Sequence, residues 1–401
     1  MRPAPERIGV IDLWRGFALF GVAVVNFVHA NDDYLTPAAA EALATAGLDW
    51  RLERLMNLLL ANKSNTLFTF LFGLGFAILM ERGAEGANGE QVLRRRMVVL
   101  TLLGLTQLFL LYHGELLHMY GLCGLLLLVL RRFPDRVLFV LGILLALFAR
   151  LFYEEWSFVG ALAPLPDISW TTPDSGLTPA ADYRLLHESS ALQLVQANAA
   201  HAMSAMYDFP RKLVQGAYFF GRMLIGFTFW RSGWCMRVIA APRERILRWV
   251  SIAGIAAVVL TAATFMESGR VGTLQHFLFN LLRQGQTLAL SAFYVLALVA
   301  IGTSPSLQRF ARPFQQLGRM SLTNYLLQSV AMMLLLYGPG LRLAGDIGAT
   351  ATAAIAAAVY VAQVVFSNLW LRHRSMGPAE KFWRWLASSP KTEPVSPRFY
   401  G

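Results

Sequence analysis

Charge is scarce in this chain. Only 15% of its 401 residues are Asp, Glu, Lys or Arg, where a soluble domain carries about a quarter. Hydrophobic residues make up 56% of the chain, and mean hydropathy is +0.48. Long apolar runs recur along the whole sequence, which implies a polytopic membrane protein rather than a water-soluble globule. Cysteine is scarcer still. Cys123 and Cys235 sit far apart, in or beside apolar runs. Two such cysteines give no disulfide framework and no metal signature, so no metal is expected. There is no GxxxxGK[ST], no HExxH, no paired CxxC and no dinucleotide fingerprint in a polar segment. ATP hydrolysis and zinc proteolysis therefore lack motif support. No cleavable signal peptide is expected either: the first apolar run is longer than a signal core, and no small-residue cleavage site follows it.

What the sequence does hold is about ten apolar runs, at 13–29, 65–80, 97–112, 116–130, 137–153, 213–230, 249–266, 286–302, 320–337 and 349–371. The expected fold is an all-α polytopic membrane protein of about ten transmembrane helices. Residues 1–386 form one helical domain with outer segments at 30–64 and 154–211, and 387–401 form a Pro-rich cytoplasmic tail. The third and fourth runs are short and meet at His113-Gly114-Glu115. Arg94, Arg95 and Arg96 precede that pair, and Arg131 and Arg132 follow it. Both clusters are cytoplasmic under the positive-inside rule only if the pair is a hairpin. With the N-terminus inside, inner segments hold 24 of the 35 Lys and Arg and 9 of the 24 Asp and Glu. The outer segments then carry the acidic excess. N-in and C-in is the preferred orientation, and the net charge of +11 is mainly a topology signal. No nucleic-acid partner is expected.

The first run and its flanks, 7–29, carry the densest polar pattern. Asp12 and Arg15 are three apart on a helix, suited to an ion pair. They either anchor the inner end of the helix or bind a phosphate-rich cytosolic ligand, since Arg takes phosphate bidentately. Asn26 lies roughly 16 Å beyond Arg15 along a helix and shares a face with His29. Lys63, His113, Glu115 and His118 fall near the same outer level. A histidine beside a carboxylate is oriented and more basic, fit to take a proton from a hydroxyl or amine. The plainer alternative is an interfacial polar turn. Gln107, Asn324 and Gln328 are amides inside apolar runs. They either cross-link helices or line a passage for a polar ligand. Arg222, inside the sixth run, needs a buried partner that the sequence does not name. His187, His201 and His276 have no clear partner spacing.

The motifs RIGVIDLWRGFALFGVAVVN (7–26), NKSNTLFTFLFGLGFAIL (62–79), YHGELLHMYGLCGLLLL (112–128), GRMLIGFTFWRSG (221–233), LGRMSLTNYLLQS (317–329) and GPAEKFWRWL (377–386) together resemble the YeiB-like bacterial membrane family, known as domain of unknown function 418. That family resembles in turn the transmembrane acyltransferases, which include the acyltransferase-3 O-acylating proteins and the lysosomal heparan-α-glucosaminide N-acetyltransferase. These take an acyl group from cytosolic acyl-CoA and pass it to an acceptor on the far side of the membrane. In acyltransferase-3 proteins an Arg in the first span is followed, after ten residues, by a catalytic His. Here Arg15 is followed at that spacing by Asn26; the heparan enzyme also has an Asn in this first-span setting, with its active His further along. Two departures stand out. A GxLH often found in the family's third span ends here in Gln107, and its GDIL is Gly114-Glu115-Leu116-Leu117, with the carboxylate one methylene longer.

The resemblance implies an acyltransferase of the bacterial inner membrane with acyl-CoA, acetyl-CoA in the first instance, as donor. Its partners would be membrane lipids and an envelope sugar, lipid or small-molecule acceptor, with a homodimer left open. Arg15 and Asp12, with Asn324 and Gln328, are the candidate donor-binding residues. His113 with Glu115, or His29 with Asn26, are the candidate base and orienter. The alternative is a transporter of a small polar or anionic solute. The charge split predicts that a reporter fused after residue 166 reads periplasmic and one at the C-terminus cytoplasmic. The opposite readout at either point would overturn the ten-span topology.

Overall fold

A computed structural model of the chain describes residues 8–32, 47–83, 89–154, 189–207, 209–265 and 274–387. The described residues form helices and no strand. In chain order they are α1 (Gly9–Asp32), α2 (Gly47–Leu59), α3 (Lys63–Gly83), α4 (Gly89–Leu110), α5 (Leu117–Leu130), α6 (Asp135–Glu154), α7 (Ala191–Tyr207), α8 (Phe209–Arg231), α9 (Trp234–Ile239), α10 (Arg243–Ala263), α11 (Leu274–Gly302), α12 (Pro305–Arg319), α13 (Ser321–Leu336), α14 (Ala349–His373) and α15 (Pro378–Ala387). A helix stands at each of the ten apolar runs. Five segments are long and apolar enough to cross a membrane: Gly9–Asn31, Gly47–Glu81, Arg243–Ala263, Leu274–Gly302 and Ala349–His373. The helices Leu117–Leu130 and Ser321–Leu336 are apolar but shorter. The expected tail beyond residue 387 and the first part of the outer segment, 155–188, lie outside the described residues.

Helix α1 is the centre of the bundle. Its hydrophobic window is 78% buried, against 11% for that of α10, so one is a core helix and the other a peripheral one. Trp14, Leu19 and Phe27 of α1 are fully buried, and α12, α14, α3, α13 and α11 pack around it. The outer faces of α6, α10 and α14 are the reverse of a soluble surface. Val140, Ile255, Val258 and Val361 are all more than half exposed, as lipid-facing residues are.

The connection between α2 and α3 is a sharp break rather than a loop. Asn62 takes a left-handed φ of 63°, which Asn tolerates better than most residues. The last turn of α2 is capped from outside itself: Lys63 Nζ donates to Asn57 O at 3.1 Å, Gln286 Nε2 to Leu58 O at 3.3 Å, and Tyr294 Oη to Leu59 O at 2.9 Å. A cation there also suits the negative end of the helix dipole. The amphipathic run expected at 50–60 is thus a helix that starts at Gly47 and is tied to α11.

Two amphipathic helices were not anticipated from sequence. In α12, Leu307, Phe310 and Phe314 are exposed at helical spacing, while its other face lies on α1. Gly16 and Gly318 make that crossing close: a Cβ on Gly318 would overlap the Asp12 carbonyl, and one on Gly16 the Phe314 carbonyl. In α15, Glu380 accepts from Leu322 N at 2.8 Å, Thr323 N at 3.2 Å and Thr323 Oγ1 at 2.6 Å. It supplies the N-terminal cap of α13 from a separate helix, meeting donors that would otherwise be unsatisfied.

Candidate functional site

The α4–α5 turn builds the site. Helices α4 and α5 fold back on each other as a hairpin. Their contact is close because Gly104 of α4 has no side chain: a Cβ there would overlap the backbone of His118. The turn at 111–116 brings Glu115 to the start of α5, where it is 2% exposed. Its carboxylate accepts from the backbone N–H of Leu117 and, at 3.4 Å, from that of His118. These are free donors of the helix N-terminus, where the dipole also favours an anion.

His118, one turn on and 6% exposed, places Nδ1 3.1 Å from Glu115 Oε2. The Tyr325 hydroxyl of α13 reaches Glu115 Oε1 at 3.4 Å. Burial pushes the Glu115 carboxyl above its usual range, and the contacts with His118 and the two N–H groups oppose that shift. Because Glu115 occupies Nδ1, Nε2 is the imidazole nitrogen left for another group.

Aromatic rings wall this pair. The Phe68 ring lies 5.8 Å from both Tyr120 and Tyr325, and the Tyr120 hydroxyl is 3.4 Å from Thr69 Oγ1. Arg222 of α8 is 1% exposed, with its guanidinium carbon 3.1 Å from the Tyr218 ring centroid. Glu115 and Arg222 both act electrostatically on Tyr120, so a buried acid and a buried cation share this neighbourhood. Gln107 of α4 donates to Ser329 Oγ of α13 at 2.5 Å.

The expected residues divide clearly. Asp12 and Arg15 form the anticipated ion pair at 3.2 Å, Asp12 being buried and Arg15 half-buried. Beside the expected pairing of His113 with Glu115, the structure shows the carboxylate on His118, the residue three further on, while His113 lies within the turn with its ring 5.3 Å from that of Tyr112. His29 is exposed and Asn26 half-buried, and neither reaches Glu115. Asn324 Nδ2 donates to Leu317 O at 3.2 Å and Ser367 Oγ at 2.9 Å. Gln328 Nε2 donates to Leu19 O at 3.3 Å and Gln363 Oε1 at 3.1 Å. These amides cross-link α13 with α1 and α14. His276 has a partner after all, with Nε2 2.9 Å from Asn280 Nδ2. His187 lies outside the described residues.

Sequence spacing already offered Glu115 and His118 at i,i+3. It marked Arg222 only as an arginine in need of a buried partner and gave no sign of Tyr325 or Tyr120; all three reach the site through tertiary packing.

A helical bundle with membrane-spanning helices around a buried imidazole–carboxylate pair is therefore the class that the fold defines. A family model described as "Protein of unknown function (DUF418)" matches residues 229–390, a stretch that includes Asn324, Tyr325 and Gln328 but not Glu115 or His118. The chain is 28% identical over 401 residues to "Uncharacterized protein YxaH" of Bacillus subtilis (strain 168), covering 94% of each. It is 29% identical over 402 residues to "Uncharacterized protein YeiB" of Escherichia coli (strain K12), covering 95% of this chain and 96% of the relative. It is 27% identical over 387 residues to "Uncharacterized 39.9 kDa protein in amylase 3'region" of Bacillus acidopullulyticus, covering 96% and 95%. These matches support the YeiB-like resemblance along nearly the whole chain.

Removing one partner so that a buried donor or acceptor is left unsatisfied typically costs about 1–3 kcal/mol. Glu115→Ala is expected to lower the thermal unfolding midpoint of the detergent-purified protein clearly. Glu115→Gln, which still accepts from Leu117 N–H, should cost less. Equal midpoints for Glu115→Ala and the native protein would show that the carboxylate does not hold the hairpin.

Proposed function

We propose that this protein is a bacterial inner-membrane acyltransferase of about ten crossings, with both termini cytoplasmic. It would move an acyl group from acyl-CoA to a hydroxyl or amine acceptor at the periplasmic side. The observation that carries the reading is the His118 imidazole held on buried Glu115. A carboxylate on Nδ1 fixes the tautomer that leaves Nε2 as acceptor. Nε2 then takes the proton of the acceptor as its oxygen or nitrogen attacks the thioester carbonyl. The C–S bond breaks, and the CoA thiolate leaves with the proton returned by His118. Atoms and charge balance with no oxidant or metal.

Arg15, half-buried in the second turn of α1, is the donor-side candidate retained from the sequence. Asp12 holds it in place. Asn324 and Gln328 take a structural part, since their side-chain N–H groups are bonded to neighbouring helices.

A second reading, transport of a small polar or anionic solute, is favoured by one observation. The α2–α3 break lies beside a row of buried polar residues on α11, Asn280, Gln284, Thr287 and Ser291. Broken helices and intramembrane polar residues are features of transporters.

The experiment is acyl transfer and CoA binding with purified protein and acetyl-CoA. His118→Ala is expected to cut transfer 10²–10⁴-fold while sparing CoA affinity. Arg15→Ala should weaken CoA binding about ten- to a hundredfold. Near-native transfer by His118→Ala would remove His118 as the base. Absence of transfer in the native protein, with solute uptake independent of CoA, would favour the transporter.

A further inference from the structure

We propose that Arg96, Trp383 and Arg384, where α15 docks on α4, form a binding site for a phosphate-bearing anion. The docking itself is fixed: Trp383 Nε1–H donates to the Arg96 carbonyl at 2.9 Å, and the Arg96 guanidinium carbon lies 5.9 Å from the Trp383 ring centroid. That contact places the guanidinium over an aromatic face.

The electrostatics of the junction are unbalanced. Arg384 acts on Arg96 as a like charge, and Arg96 is desolvated by the fold. The nearby acids are already engaged. Glu380 of α15 caps α13, and Glu90 of α4 pairs with Arg131. Arg96 Nε is buried without a hydrogen-bond partner among the described residues. Bringing two guanidiniums together costs Coulomb energy, and burying a donor unpaired costs more. A phosphate group offsets both, because its oxygens accept bidentately from a planar guanidinium and its charge opposes both cations.

Arg384 is exposed, so the site opens to the aqueous or headgroup region. Two sources supply this chemistry: the nucleotide phosphates of a soluble donor and the headgroup phosphate of an anionic lipid. Assigning it to a CoA donor rests on the acyl-transfer reading, whereas the phosphate site itself does not.

The test uses the full-length protein and two probes. In neutral detergent it is titrated calorimetrically with adenosine 3′,5′-bisphosphate. In phosphatidylcholine nanodiscs, with and without phosphatidylglycerol, retained lipid is read by native mass spectrometry. Arg384→Ala and Arg96→Lys are compared with Arg248→Ala, an exposed arginine remote from the junction. Arg384→Ala is expected to weaken at least one probe about ten- to a hundredfold, and Arg96→Lys, which keeps the charge but loses the planar fork, to weaken the same probe. Loss confined to the bisphosphate supports the soluble source, and loss confined to phosphatidylglycerol supports the lipid. Loss of phosphatidylglycerol binding in a protein without acyl transfer upholds the site and removes the acyltransferase reading. If both variants bind both probes as Arg248→Ala does, the site is overturned.

Discussion

A carboxyl group in a low-dielectric interior needs several hydrogen-bond partners, and Glu115 is the point where this bundle meets that demand. The N-terminus of α5 supplies two backbone N–H groups, His118 an imidazole, and Tyr325 a hydroxyl. Each donor depends on a different feature. The N–H groups exist because α5 begins at Leu117, and the imidazole is placed by the period of the same helix. The tyrosine requires α13 to pack against the hairpin. The hairpin closes because Gly104 admits the backbone of His118. Arg222 adds a buried cation that, like Glu115, acts electrostatically on Tyr120.

The short helix α13 distributes this arrangement. Asn324 and Gln328 share one face of this helix, and Tyr325 and Ser329 the next, within about a turn and a half. They reach α14, α1, Glu115 and Gln107 respectively. In hydrocarbon such amide and hydroxyl bonds are among the few directional forces between helices. The amides do not titrate near neutrality, so their part is to fix geometry.

The helices were legible because apolar length is a strong signal, and the ion pair of Asp12 and Arg15 because i,i+3 spacing within one helix needs no tertiary information. The partnership of Glu115 with His118, which was not among the expected pairs His113–Glu115 and His29–Asn26, was not settled by spacing alone. It turns on where α5 begins, and a helix start inside an apolar run with no Ser, Thr, Asp or Asn cap is poorly marked in sequence. Tyr120, Tyr325 and Arg222 come from three helices, and their convergence is a property of packing. Helix α12 was missed for another reason: its apolar residues are spaced for an amphipathic surface and never form a run. The cap that Glu380 gives α13 joins residues 57 apart in the chain, beyond the reach of any local motif.

The two functional readings differ in what they require of the α2–α3 break. Transporters with discontinuous helices use the freed carbonyls to coordinate a cation or to let half-helices rock. Here the carbonyls of Asn57, Leu58 and Leu59 accept from Lys63, Gln286 and Tyr294, and Leu60 O accepts from the backbone of Lys63 and Ser64. A cation at this point would have to displace the Lys63 ammonium, and a rocking half-helix would break bonds to α11. The break is therefore tied down rather than open. Close crossings at Gly16, Gly318 and Gly104 hold α1, α12 and the hairpin in one arrangement. On the proposed acyl-transfer reading these close crossings would help hold an oriented imidazole in place, from which catalysis gains.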